Sequence, residues 1–106
     1  MGEDKYKIRF TPKASDDLDE IYRYIASELY SIVSANNLMY KIETSIMRLA
    51  DFPLSCSFVD DDTLKEKGYR KLVIDNYIAF YIVNEIEKIV VIMRVSYGRQ
   101  KYQDII

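Results

Sequence analysis

The carboxy-terminal third of this chain limits its fold more than any other feature. Three runs rich in Ile, Val and Tyr follow one another there, at residues 69–74, 77–83 and 88–96. β-Branched and aromatic residues favour strands. Asp75 and Asn76 tolerate left-handed backbone and mark a tight turn between the first two runs. Residues 84–87 make the second turn. The strands are nearly apolar on both sides, so the meander needs cover on each face. Helices from the rest of the chain are expected on one side, and a partner or the tail on the other.

The upstream residues contain that helical cover. Residues 6–10, Tyr-Lys-Ile-Arg-Phe, alternate apolar and basic groups, which predicts a strand with Tyr6, Ile8 and Phe10 on one face. Thr11-Pro12 is a helix start, with Thr as cap and Pro at the first helical position. Ala14, Leu18, Ile21, Ile25 and Leu29 then recur at helical spacing. Asp16, Asp17, Asp19 and Glu20 crowd the first turns, where the helix dipole favours acids. They read as a solvated face and not as a metal site, because no His or second acidic cluster is placed to complete a ligand set. Residues 30–34 read as a break. A second helix carries Ala35, Leu38, Ile42, Ile46 and Leu49 on one stripe and must stop before Pro53. Residues 53–68 have no clear period; Asp60, Asp61 and Asp62 read as a solvated loop. The order is β-α-α-β-β-β. This is an α+β fold, an antiparallel sheet packed against a helical hairpin, in a single domain over residues 1–106.

A chain of 106 residues, 49% hydrophobic and 30% charged, can bury a core without cross-links. Its one cysteine, Cys56, allows no internal disulfide and suits a reducing compartment. Residues 1–10 lack the apolar segment of a signal peptide, and runs such as Ile89 to Met93 are too short to span a bilayer. A cytoplasmic protein with no membrane contact is expected. The net charge of -2 argues against coating nucleic acid by bulk charge. That charge is uneven: residues 1–67 hold 9 Lys and Arg against 13 Asp and Glu, whereas residues 68–106 hold 6 against 4. Any nucleic-acid contact is therefore local to the carboxy-terminal sheet and tail.

Four stretches, in this order and spacing over residues 6–102, resemble the RelE/ParE superfamily of toxins from type II toxin–antitoxin systems. KIRFTPKASDDLDEIYRYIA resembles the strand-then-helix opening, with an Ala and an Asp-Leu pair ahead of Ile-x-x-Tyr-Ile. IMRLADFP resembles the end of the second helix. GYRKLVIDNYIAFYIV resembles the sheet hairpin, with Arg70, Tyr77 and Tyr81 at matching places. VVIMRVSYGRQKY resembles the last strand and basic tail. The resemblance implies a RelE/ParE-like fold, bacterial growth inhibition, plasmid stabilisation and no cofactor. It also implies a cognate antitoxin whose extended or helical segment wraps the toxin. RelE-like members enter the ribosomal A site and cleave mRNA; ParE-like members inhibit DNA gyrase and need no catalytic residues.

Cleaving RNA through its own 2′-hydroxyl needs a base, an acid and positive charge near the developing phosphorane. Histidine is the usual proton carrier near neutral pH, and this chain has none. A Tyr serving instead needs its pKa, ordinarily about 10, pulled down by cations. The tail resembles RelE-type ends in which an Arg precedes a Tyr by a few residues. Arg70, Arg99 and Tyr102 are thus the candidate catalytic residues, and Arg94, Tyr97 and Lys101 the candidate target- or phosphate-binding ones. Gly98 is a place where the tail can fold back towards Arg70. Arg94 has a plainer reading as the partner of an acidic group. Tyr22, Tyr24, Tyr77 and Tyr81 read as core or interface aromatics. One departure bears on the choice: cleaving members often carry Arg directly after the first Tyr of the hairpin, and here that position is Ile78. Three functions follow. The favoured one is a ParE-like toxin that binds a protein such as DNA gyrase. The others are a RelE-like ribosome-dependent mRNA endonuclease, and a degenerate binding module kept only as the antitoxin's partner. The apolar sheet predicts an antitoxin as cover, and a homodimer when the antitoxin is absent.

Overall fold

The computed structural model describes residues 5–28 and 30–98. The meander forms as its turns dictate: β2 (Arg70–Ile74), β3 (Tyr77–Asn84) and β4 (Ile89–Tyr97) pair antiparallel. Asp75 adopts φ 53 at the first turn, the left-handed conformation its residue type tolerates. A short β1 (Lys7–Phe10) joins the sheet at its other edge, giving the order β1-β4-β3-β2. It runs parallel to β4, with Lys7 beside Ile89 and Phe10 beside Ile92. The sheet is therefore mixed, where an antiparallel one was expected. Each tight turn reverses the chain, whereas β1 reaches the sheet through a long helical crossover, the kind of connection that parallel pairing needs.

α1 (Pro12–Arg23) starts where Thr11 caps it; the Thr11 hydroxyl accepts from the Ala14 N–H at 3.0 Å and donates to the Met93 carbonyl at 2.8 Å. The cap thus also pins the helix to β4. α1 continues into a π-helical turn, Tyr24–Glu28. α2 (Ile32–Met47) begins inside the expected break, because Ser31 caps it through the Ser34 N–H at 3.1 Å. Tyr30, at φ 50, lies at the reversal. A 3-10 turn, Arg48–Ala50, ends the hairpin ahead of Pro53. α3 (Asp62–Glu66) was not anticipated. Asp61, read as part of a solvated loop, is its cap and accepts from the Leu64 N–H at 3.0 Å.

Two cores result. On one side of the sheet, Ala14, Ile42, Ile46, Leu49, Tyr81 and Ile92 pack with Ala79, Val90 and Val95. On the other, Val59, Leu64 and Tyr69 from the α3 segment cover Phe80, with Ile78, Ile82 and Met93 partly buried around them. The chain itself supplies some of the cover that was expected of a partner or the tail. Leu29 of the predicted first-helix stripe lies outside the described residues.

Candidate functional site

The last turns of β4 hold most of the described candidates. Opposite β3, the pairing passes from Tyr81 beside Ile92 to Phe80 beside Arg94, so Met93 is an extra residue, a bulge. A bulge re-aims the side chains after it. Arg94 reaches α1, where its Nε and Nη2 donate to the Asp17 carboxylate at 2.8 and 3.0 Å. The Val95 N–H donates to the same carboxylate at 2.9 Å. Asp17 thus closes the edge of β4 beyond the end of β1. The Asp17 side chain is only 12% exposed and that of Arg94 23%, so Asp17 does not belong to a solvated face. The first turn of α1 holds no acid at all. Hydrogen bonding to Asp17 pushes Arg94 above the ordinary guanidinium value, against the opposing pull of burial.

Arg70 is engaged elsewhere. Its Nη1 donates to the Cys56 carbonyl at 2.6 Å, and its guanidinium lies 4.0 Å above the Phe58 ring. Arg70 pairs with Tyr81 and Arg94 with Phe80, so β3 runs between the two arginines. Adjacent strands lie about 4.8 Å apart, which separates these two backbones by roughly 10 Å. Tyr97 packs edge-on against Tyr77, ring centroids 5.7 Å apart at 78°. The Gly98 N–H donates to the Asn76 carbonyl at 2.7 Å, which prolongs the ladder past Tyr97. Tyr97 pairs with Tyr77 and Tyr77 with Ile74, four residues from Arg70 along β2. The chain therefore leaves β4 about 13 Å along the strand direction from Arg70. Arg99, Lys101 and Tyr102 lie outside the described residues.

Neither tyrosine of β3 is tuned as a base. Burial pushes the Tyr81 phenol up, with Cys56 adding to the effect and Arg70 opposing it. Its hydroxyl donates to the Pro53 carbonyl at 3.1 Å. Burial also pushes Tyr77 up, assisted by Tyr97 and Tyr24. A phenol serving as a general base needs the opposite shift. Ile78, which follows Tyr77 in the hairpin, sits against the second core.

Two open grooves flank α1. One, of about 710 Å³, runs between α1 and the end of β4 and is lined by Asp17, Glu20, Tyr24, Tyr77, Arg94 and Tyr97. The other, of about 720 Å³, lies between α1 and α2 and is lined by Phe10, Leu18, Tyr22, Met39 and Met47 with Glu43 at its rim. Asp17 and Tyr24 were not singled out as site residues. Nothing in local spacing ties Asp17 to a partner 77 residues away. Among the described residues, no three His, Cys, Asp or Glu side chains form a group able to hold a metal ion. No helix among them is long and apolar enough to cross a membrane.

Residues 8–102 match the sequence model of the ParE toxin of the type II toxin–antitoxin system parDE. The chain belongs to the ParE toxin family. The ParE fold seen here is similar to the chromosomal ParDE toxin–antitoxin system from P. aeruginosa, at TM-score 0.72 and 21% identity, over 89% of this chain and 97% of that one. It is also similar to the toxin–antitoxin complex RelBE2 from Mycobacterium tuberculosis, at TM-score 0.60 and 21% identity over 88% and 98% of the two chains. YafQ from E. coli shares the fold at TM-score 0.51 and 16% identity, over 88% and 93%. No curated protein matches the sequence significantly. This ParE-family chain is thus a toxin of a type II toxin–antitoxin system, and its structural relatives include toxin–antitoxin complexes.

Proposed function

We propose that this toxin arrests growth by binding a protein target, with DNA gyrase the target that its family implies, and that a cognate antitoxin neutralises it. One observation carries the reading: the two described candidate arginines, Arg94 and Arg70, are engaged with Asp17 and with Cys56 and Phe58, on either side of β3. Three further features support it. The hairpin position after Tyr77 is Ile78, packed against a core. Tyr77 and Tyr81 are shifted away from basic use. The family match is to ParE, and the ParDE similarity has a higher TM-score than RelBE2 or YafQ.

In this reading Arg94 is a positioning residue that holds α1 against β4, and Arg70 buttresses the segment before α3. Tyr97, with Tyr77 and Tyr24, forms the contact surface of the β4 groove, where aromatic rings supply large contact area at low entropic cost. Arg99, Lys101 and Tyr102 follow directly on Tyr97-Gly98 and extend the same grip to the target. Inducing the chain without its antitoxin is expected to stop growth while primer extension shows translated messages intact. Codon-phased cuts that disappear in Arg99→Ala or Tyr102→Phe would make it a RelE-like nuclease instead. Normal growth at verified expression would leave only a binding module.

A further inference from the structure

The groove between α1 and the end of β4 is anionic and aromatic at once. Asp17, Glu20 and Tyr24 follow at steps of three and four residues, so they share the side of the helix that faces β4. Two carboxylates, Asp17 and Glu20, face one guanidinium, Arg94, which leaves one net negative charge. Arg94 is committed to Asp17 through two hydrogen bonds. Glu20 is exposed and closes no salt bridge among the described residues; it acts on Arg94 through space. Tyr97 stands edge-on to Tyr77 at 78°, so their two rings form a corner. Tyr24 lines the same groove from the helix side and is 57% exposed, with Tyr97 44% exposed. These phenols stand close enough for charge on Tyr97 or Tyr24 to disfavour charge on Tyr77. Ring faces carry partial negative charge. Carboxylate, ring faces and net charge all favour a cation over an anion here.

We propose that this groove takes an arginine side chain of the toxin's protein target, its guanidinium stacked on the tyrosine rings and paired with Glu20. This assignment rests on the reading of the chain as a toxin with a protein target. Arginine fits the groove better than lysine. A guanidinium is planar and weakly hydrated, stacks on aromatic faces and can grip a carboxylate with two donors. An ammonium holds its water more strongly and gains less from a groove that stays open to solvent. Ile21 and Ile25 also line the groove and suit the aliphatic stem of the same side chain. A phosphate-bearing target is disfavoured on this surface, because its charge would meet Glu20 while Arg94 is held by Asp17. An arginine seated among aromatic rings is the kind of anchor that carries much of a protein interface.

The tyrosine ring signals of the purified full chain, followed by NMR as N-acetyl-arginine amide is added, test the assignment. Saturable shifts of Tyr24, Tyr77 and Tyr97 are expected, with dissociation at about 1–10 mM. N-acetyl-citrulline amide, which keeps the shape without the charge, should bind at least about tenfold more weakly. Glu20→Gln should weaken arginine amide about threefold, and because Glu20 is exposed the fold is retained. Inorganic phosphate should leave the three rings unmoved. Arginine amide that shifts no groove ring up to about 50 mM overturns the assignment. So does citrulline amide binding equally well, or phosphate moving the same rings. Binding that appears only after Arg99→Ala with Lys101→Ala would give the groove to the chain's own tail and overturn it as well. DNA gyrase supplies a separate readout. If Tyr97→Ala relieves gyrase poisoning while the groove ignores arginine amide, the protein-target function stands and the arginine assignment falls. If arginine amide binds as expected and the toxin leaves gyrase unaffected, gyrase falls as the target and the arginine site stands.

Discussion

Replacing Asp17 by Asn probes the contact on which the whole β4 end depends. Asp17 accepts two hydrogen bonds from Arg94 and one from the Val95 N–H, all between 2.8 and 3.0 Å. Asn keeps the shape but removes the charge, leaving a guanidinium only 23% exposed beside a neutral amide. Breaking one side of a buried pair costs about 3–5 kcal/mol, and the residual exposure of Arg94 puts this case near the lower end, about 3 kcal/mol. For a domain of this size that corresponds to a fall of roughly 12 °C in melting temperature. Arg94→Met should cost less, about 2 kcal/mol, since Asp17 retains the Val95 N–H. The double variant Asp17→Asn with Arg94→Met should be more stable than the sum of the single losses by about 2 kcal/mol, because the unpaired charge disappears with its partner. Thermal and urea unfolding of the four proteins measures the cycle. A single Asp17→Asn variant melting within about 2 °C of the parent, or strictly additive losses, would refute the claim that this pair locks α1 to β4.

Arg70→Ala should lose about 1–2 kcal/mol, the combined effect of the Cys56 hydrogen bond and the Phe58 stack, as read by urea unfolding. Alkaline titration should show stability level up to about pH 10 and falling above it. The sign follows from Tyr77 and Tyr81, whose folded-state values are raised: above about pH 10 the unfolded chain loses phenolic protons that the folded chain keeps, so rising pH favours unfolding. Tyr81→Phe should flatten that decline. Gly98→Ala should cost about 1 kcal/mol, since a Cβ there would stand 3.2 Å from the Asn76 carbonyl oxygen; an unchanged melting curve would show that the turn gives way freely.

What the sequence made legible were the features written in neighbouring residues. The meander followed from its apolar runs, its first turn from Asp75-Asn76, the start of α1 from Thr11-Pro12, and the end of the hairpin from Pro53. Features that depend on distant pairing were not legible. Asp17 looked like one acid among four on a helix face, and only the fold brings it to Arg94. The bulge at Met93 leaves no trace in an apolar run, yet it re-aims Arg94. α3 is five residues long, too short to show a helical period. The parallel sense of β1 depends on the path of the whole crossover and not on its own alternation. Residues 30–34 looked like a break, whereas Ser31 begins a helix there by capping it. The Tyr77–Tyr97 contact was beyond reach for the same reason as Asp17: it joins two strands in a register that only pairing sets.

A cleavage assay with purified DNA gyrase and supercoiled plasmid tests the proposed function most directly. Adding the toxin should make gyrase-cleaved linear DNA accumulate, and Tyr97→Ala should reduce that accumulation while the fold is retained. Addition of the cognate antitoxin should abolish it. Intact supercoiled plasmid at all toxin concentrations, alongside codon-phased cutting of messages on translating ribosomes, would contradict the account.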